Sequence, residues 1–146
     1  MLLKLLVGGY CRMSNQILIV DDQQIILDVL ITYLKKKQDF KIFTARSAQE
    51  ALMKWEENNI GIVLTDIHLG GDMDGISLCS RIRHKDLKTV VIAMTGYTNE
   101  YNLEYCLSIG FRDFLNKPMV FSDLDEVIKC AISQRKRWLH SNFHLE

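Results

Sequence analysis

The strongest constraint on how this chain folds is a repeated change of hydrophobic period. Short apolar runs rich in β-branched residues fall at 17–20 (ILIV), 41–45 (KIFTA), 62–65 (IVLT), 90–95 (VVIAMT) and 111–116 (FRDFLN). Runs that are apolar throughout, rather than at every second residue, suit strands covered on both sides. Four of the five read as buried strands, and the fifth, which carries Arg112 and Asp113, suits a sheet edge. Between the runs the spacing becomes helical. Ile26, Leu27, Leu30 and Leu34 share one face, followed by lysines 35–37 at the end where the helix dipole favours cations. SAQE at 47–50 is a capping box, with Ser47 and Glu50 placed to satisfy each other's backbone N–H groups ahead of Ala51, Leu52 and Trp55. Gly75 to His84 and Glu100 to Ser108 predict shorter helices. A last helix starts near Ser122, with Leu124, Val127, Ile128, Ala131 and Trp138 on its apolar face and a solvated basic group, Arg135, Lys136 and Arg137, on its final turns.

This alternation predicts an α/β sandwich: a parallel sheet with helices on both faces and right-handed crossovers. At 146 residues, 48% of them hydrophobic, the chain suits one domain with a sizeable core. No repeat, low-complexity tract or linker interrupts it. Eighteen Lys plus Arg balance eighteen Asp plus Glu, so net charge gives no argument for nucleic acid or an anionic membrane. No run approaches the ~20 apolar residues of a membrane span. Cys11, Cys79, Cys106 and Cys130 lie too far apart for a zinc or redox pair and read as reduced cytosolic thiols. MLLKLLVGGYC superficially resembles a signal peptide, but Lys4 breaks it, Gly8 and Gly9 follow, and no cleavage site precedes Ile17. Met13 is an equally good start. Residues 1–14 are therefore expected to be an N-terminal extension or a misassigned start, and residues 139–146 a tail, linker remnant or cloning scar.

In a sheet of this kind ligand chemistry belongs at the carboxyl ends of the strands. The first strand ends in Asp21 and Asp22, the third in Asp66, the fourth in Thr95, and the fifth in Lys117, followed by Pro118. Three carboxylates in one pocket raise each other's proton affinity unless cations intervene. Lys117 supplies one positive charge, and a hard divalent cation with oxygen ligands, magnesium above all, would resolve the remainder. A carboxylate beside such a cation can attack phosphorus, while the metal, an ammonium group and a hydroxyl neutralise the phosphoryl oxygens. The plainer alternative is a helix start, with Asp22 as a cap and Asp21 solvated. Convergence of five polar groups on one edge favours the site.

The ordered set ILIVDD, LTD, MTG and NKP resembles the response-regulator receiver domain of two-component signalling, over residues 15–138. The resemblance implies a flavodoxin-like (βα)5 sandwich with strand order 2-1-3-4-5. It implies that Asp66 accepts a phosphoryl group from a sensor histidine kinase or a histidine phosphotransfer protein. Asp21, Asp22, Asp66 and the His68 backbone carbonyl would hold Mg2+, with Mn2+ as a substitute. Thr95 and Lys117 would contact the phosphoryl group, Phe114 would be the aromatic switch, and His68 and Tyr97 would tune the lifetime of the acyl phosphate. The face made by the fourth helix, fifth strand and fifth helix would then bind a downstream effector or pair two copies as a homodimer. Slow autodephosphorylation, a cytoplasmic location, and no direct contact with nucleic acid or membrane are expected. Lys117-Pro118 would be cis, with a trans turn as the alternative.

The sequence also departs from that family. Gly70 stands where a proline is usual, and Gly75 comes nine rather than eight residues after Asp66. The loop is expected to be mobile and to absorb its extra residue at Gly70 and Gly71, both free to take positive φ, while Asp66 keeps its place. Asp72 and Asp74 read as loop and helix-cap residues. A calcium loop would put Gly70 and Arg81 where carboxylates are needed. Two rivals remain. A metal-dependent phosphohydrolase would use Asp66 as nucleophile, with His68 where its general acid should stand, and lacks any segment long enough for a cap. A flavin-holding module would need small phosphate-cradling residues in the first turn, where DDQQI stands.

Overall fold

The computed structural model describes residues 16–37, 40–96 and 102–143. Strand and helix alternate as β1 (Gln16–Val20), α1 (Gln24–Lys35), β2 (Lys41–Ala45), α2 (Ala48–Glu57), β3 (Ile62–Asp66), α3 (Gly75–Lys85), β4 (Val90–Thr95), α4 (Leu103–Ile109), β5 (Asp113–Asn116) and α5 (Phe121–Phe143). The five strands are all parallel, in the order β2-β1-β3-β4-β5. This is the flavodoxin-like sandwich expected.

The two-residue period of the strands divides the core. Leu18, Val20, Val63, Val91 and Ala93 face Ala48 and Ala51 of α2, Leu78, Cys79 and Ile82 of α3, and Cys106 of α4. Ile17, Ile19, Ile62, Leu64 and Ile92 face Leu27, Leu30 and Leu34 of α1 and Leu124, Val127, Ile128 and Ala131 of α5. Helices therefore cover both faces; β3 and β4 are buried along their whole length, and β1 from Ile17 onward. β2 is a correction: it is the second edge of the open sheet, with only Ala45 buried. An open sheet has two edges, and the apolar run KIFTA hides this because Phe43 packs on the core while Lys41 lays its ammonium 5.3 Å from the Phe43 ring centroid.

Local chemistry sets the helix starts. Ser47 Oγ accepts from the Glu50 N–H at 3.1 Å, but Glu50 reaches past Ser47 to the Arg46 N–H at 3.1 Å and also pairs with Lys54. Only half of the expected capping box forms. Asp74 caps α3 by accepting from Ser77 N–H at 2.8 Å, as expected. α4 starts at Leu103, capped by Asn102, which accepts from Tyr105 N–H at 2.8 Å. Arg135 corrects the expectation of a solvated basic group. It is 4% exposed, its guanidinium donates to the Lys88 carbonyl, and only Lys136 and Arg137 face solvent. α5 continues without interruption past residue 138.

Candidate acidic metal site

Parallel strands in register bring their carboxyl ends to one edge. β1 stops at Val20, so Asp21 begins the turn, its N–H held by the Ala45 carbonyl at 3.1 Å. Asp66 ends β3 opposite Met94, and Ile67 N–H donates to the Met94 carbonyl at 3.0 Å. Thr95 ends β4 opposite Asn116, and Lys117 N–H donates to the Thr95 carbonyl at 2.8 Å. The Lys117-Pro118 peptide is cis.

One oxygen from each of Asp21, Asp22 and Asp66 lies within 4.8 Å of the others. Asp21 is fully buried, Asp66 is 7% exposed, and Asp22 is open to solvent. The Lys117 ammonium enters from β5 and bridges two of them, 2.5 Å from Asp21 Oδ2 and 3.0 Å from Asp66 Oδ2. Asp66 Oδ1 accepts from the His68 N–H at 3.2 Å. Burial pushes the Asp66 carboxyl above the ordinary aspartate range. The Lys117 hydrogen bond and charge pull it down, and the Asp21 charge pushes it up again. Burial works to lower the Lys117 pKa, but its hydrogen bonds to Asp21 and Asp66 and their charges hold the ammonium above the usual lysine value.

Three carboxylates facing one ammonium leave the pocket negative. Its donors are all oxygen, and one acid reaches solvent. That set fits a hard divalent cation which keeps part of its water shell.

The alternative of Asp22 as helix cap and Asp21 as solvated residue is reversed. Gln23 occupies the N-cap position without a side-chain cap bond, and buried Asp21 accepts from the Gln23 N–H at 2.9 Å through its other oxygen, Oδ1. Thr95 is fully buried at the end of β4, and Phe114 is half-buried against the α2–α4 side of the core. His68 is half-buried, and its ring Nε2 is shielded from solvent. Tyr97 lies outside the described residues. In the departing loop only Gly71 takes positive φ (+100°), whereas Gly70 does not.

Two contributors were missed in the sequence. A side chain at Gly75 would overlap the Asp66 carbonyl oxygen and lie 2.9 Å from Ile67 Cα, so this glycine lets α3 start against the backbone that presents Asp66. Its N–H donates to the Ile67 carbonyl at 2.9 Å. Its position after a cap residue explained it too easily as a helix start. Arg46 holds the Asp22 carbonyl through Nη2 at 2.9 Å. Nothing in the spacing marks that contact.

Comparison with known proteins places the chain in a family. The model of the response regulator receiver domain matches residues 17–129. Regulatory protein VanR of Enterococcus faecium is 32% identical over 126 residues, 86% of this chain and 53% of its own length. Transcriptional regulatory protein SrrA of Staphylococcus aureus is 37% identical over 125 residues, 85% of this chain and 49% of its own. The chain thus spans about half the length of these curated relatives. A CheY-like response regulator receiver domain protein from Methanospirillum hungatei, of known crystal structure, superposes with a TM-score of 0.75 at 31% identity, covering 84% of this chain and 97% of that one.

Proposed function

The chain belongs to the response regulator receiver domain family, and from that premise we propose that it is a phosphorylation-controlled switch with Asp66 as the phosphoacceptor. The observation that carries the reading is the Lys117 ammonium bridging Asp21 and Asp66 beside a set of carboxylate oxygens open to solvent at Asp22. The donor is a phosphohistidine of a sensor histidine kinase or a histidine phosphotransfer protein.

In the transfer, an Asp66 carboxylate oxygen forms a bond to phosphorus as the nitrogen–phosphorus bond of the donor breaks. The electron pair returns to the imidazole, which takes up a proton. Asp21, Asp22, Asp66 and the His68 backbone carbonyl would hold magnesium, or manganese in its place, and such an ion would supply positive charge for the phosphoryl oxygens. Lys117 exchanges its contact with Asp66 for one with a phosphoryl oxygen, and the Thr95 hydroxyl donates to another. Thr95 moving inward opens space that Phe114 follows, and the face of α4, β5 and α5 changes its affinity for a partner. Exposed Ile25 and Val29 of α1 and Phe121 of α5, which line one surface depression, offer the donor an apolar seat.

Incubation with acetyl phosphate and magnesium tests the chemistry. Hydroxylamine-labile phosphate should appear on the protein, and EDTA should prevent it. Sustained turnover of phosphate esters would instead favour the phosphohydrolase reading. His68 and Tyr97 stand two residues after Asp66 and Thr95, where bulky side chains restrict the attacking water. His68→Ala with Tyr97→Ala should therefore shorten the phosphoprotein lifetime, and an unchanged decay rate would remove both residues from that role.

A further inference from the structure

We propose that the groove between β5 and α5 seats a basic, partly apolar segment of a partner protein rather than a second copy of this chain. The groove has a volume of about 460 Å³. Three of its ten lining residues are carboxylates, Asp113, Asp123 and Glu126, and none is basic. Among the described residues no lysine, arginine or histidine pairs with any of the three. Asp123 and Glu126 face solvent. Asp113 is fixed by accepting from its neighbour Phe114 N–H at 2.8 Å, and Asp123 is fixed in the first turn of α5, where the helix dipole favours its charge. Phe114 and Val127 supply an apolar wall, and Val120 is 57% exposed at the rim.

A twofold pairing through this groove would set the same patch against itself and bring six unpaired carboxylates together. Phosphate backbones are repelled for the same reason. A segment with lysine or arginine flanking apolar side chains satisfies the acids and covers the wall at once. The proposal rests on the receiver reading for its link to Asp66. Phe114 lines the groove, and Pro118, also in its lining, follows the lysine that contacts Asp66 at 3.0 Å. Phosphorylation therefore acts one residue away from the groove wall.

The probe is a fluorescent 12-residue peptide of alternating lysine and leucine, compared with its glutamate counterpart by anisotropy on the full chain. The lysine peptide should bind, and Asp123→Asn with Glu126→Gln should weaken it at least tenfold. Glu56→Gln with Glu57→Gln, exposed on α2, should not. Cys130, exposed in the groove lining, should be shielded from alkylation by the peptide. Equal binding after the Asp123 and Glu126 changes, equal binding of the glutamate peptide, or dimerisation that shields Cys130 would overturn the proposal. Measuring unphosphorylated protein tests the groove alone. Intact mass after acetyl phosphate separates failure of the groove from failure of phosphorylation at Asp66.

Discussion

Asp66 combines two demands that usually conflict: it is buried enough for its carboxyl to be pushed up, yet held by Lys117 and the His68 N–H so that its oxygens stay oriented. Gly75 makes this geometry possible. Gly75→Ala should force the start of α3 away from the Asp66 carbonyl, at a cost of roughly 1–3 kcal/mol for overpacking against backbone. Urea denaturation measures the loss, and acetyl phosphate labelling should slow with it. A variant that kept both would remove Gly75 from site positioning. At this scale the acids and Lys117 were legible in the sequence, because a strand end is marked by a polar residue after an apolar run. Gly75 and Arg135 were not. Their roles depend on what lies across the fold, a carbonyl for one and the turn before β4 for the other.

Among the elements, periodicity was a sound guide to which side each helix buries, and capping chemistry was a weaker one. The SAQE motif predicts reciprocal bonds, but the backbone offered Glu50 a different N–H, that of Arg46, and the neighbouring Lys54. Ser47→Ala should therefore cost about 1 kcal/mol, while Glu50→Gln loses less because its contacts are exposed. Equal losses in urea melts would restore the reciprocal box. In α1, Leu30 is 1% exposed in the core that α1 shares with α5. Leu30→Ala should cost about 2–5 kcal/mol, with midpoint shifts seen alike by tryptophan fluorescence and circular dichroism. The second edge of the sheet escaped the sequence because β2 puts apolar residues on both sides, Phe43 and Ala45 towards α2 and Ile42 towards the other core.

For the molecule as a whole, the parallel sheet does two jobs: its strands form the shared floor of two cores, and their ends assemble the pocket. Alkaline pH should loosen the α2–α4 side first. Burial pushes the Cys79 thiol up to about 12, against 9.0 for the ordinary group. Above pH 9 the unfolded chain would lose this proton while the folded chain keeps it, so stability should fall as pH rises from about 9 towards 12. Cys79→Ser, with its higher hydroxyl pKa, should flatten that part of the profile in urea melts at successive pH values; an unchanged slope would show that other groups set it.

The central claim, that the pocket exists to phosphorylate Asp66, is tested most directly by intact mass after incubation with acetyl phosphate and magnesium. Wild-type protein should gain the mass of a single phosphoryl group, and Asp66→Asn should gain none. No gain in the wild type, or a gain that survives Asp66→Asn, would contradict it.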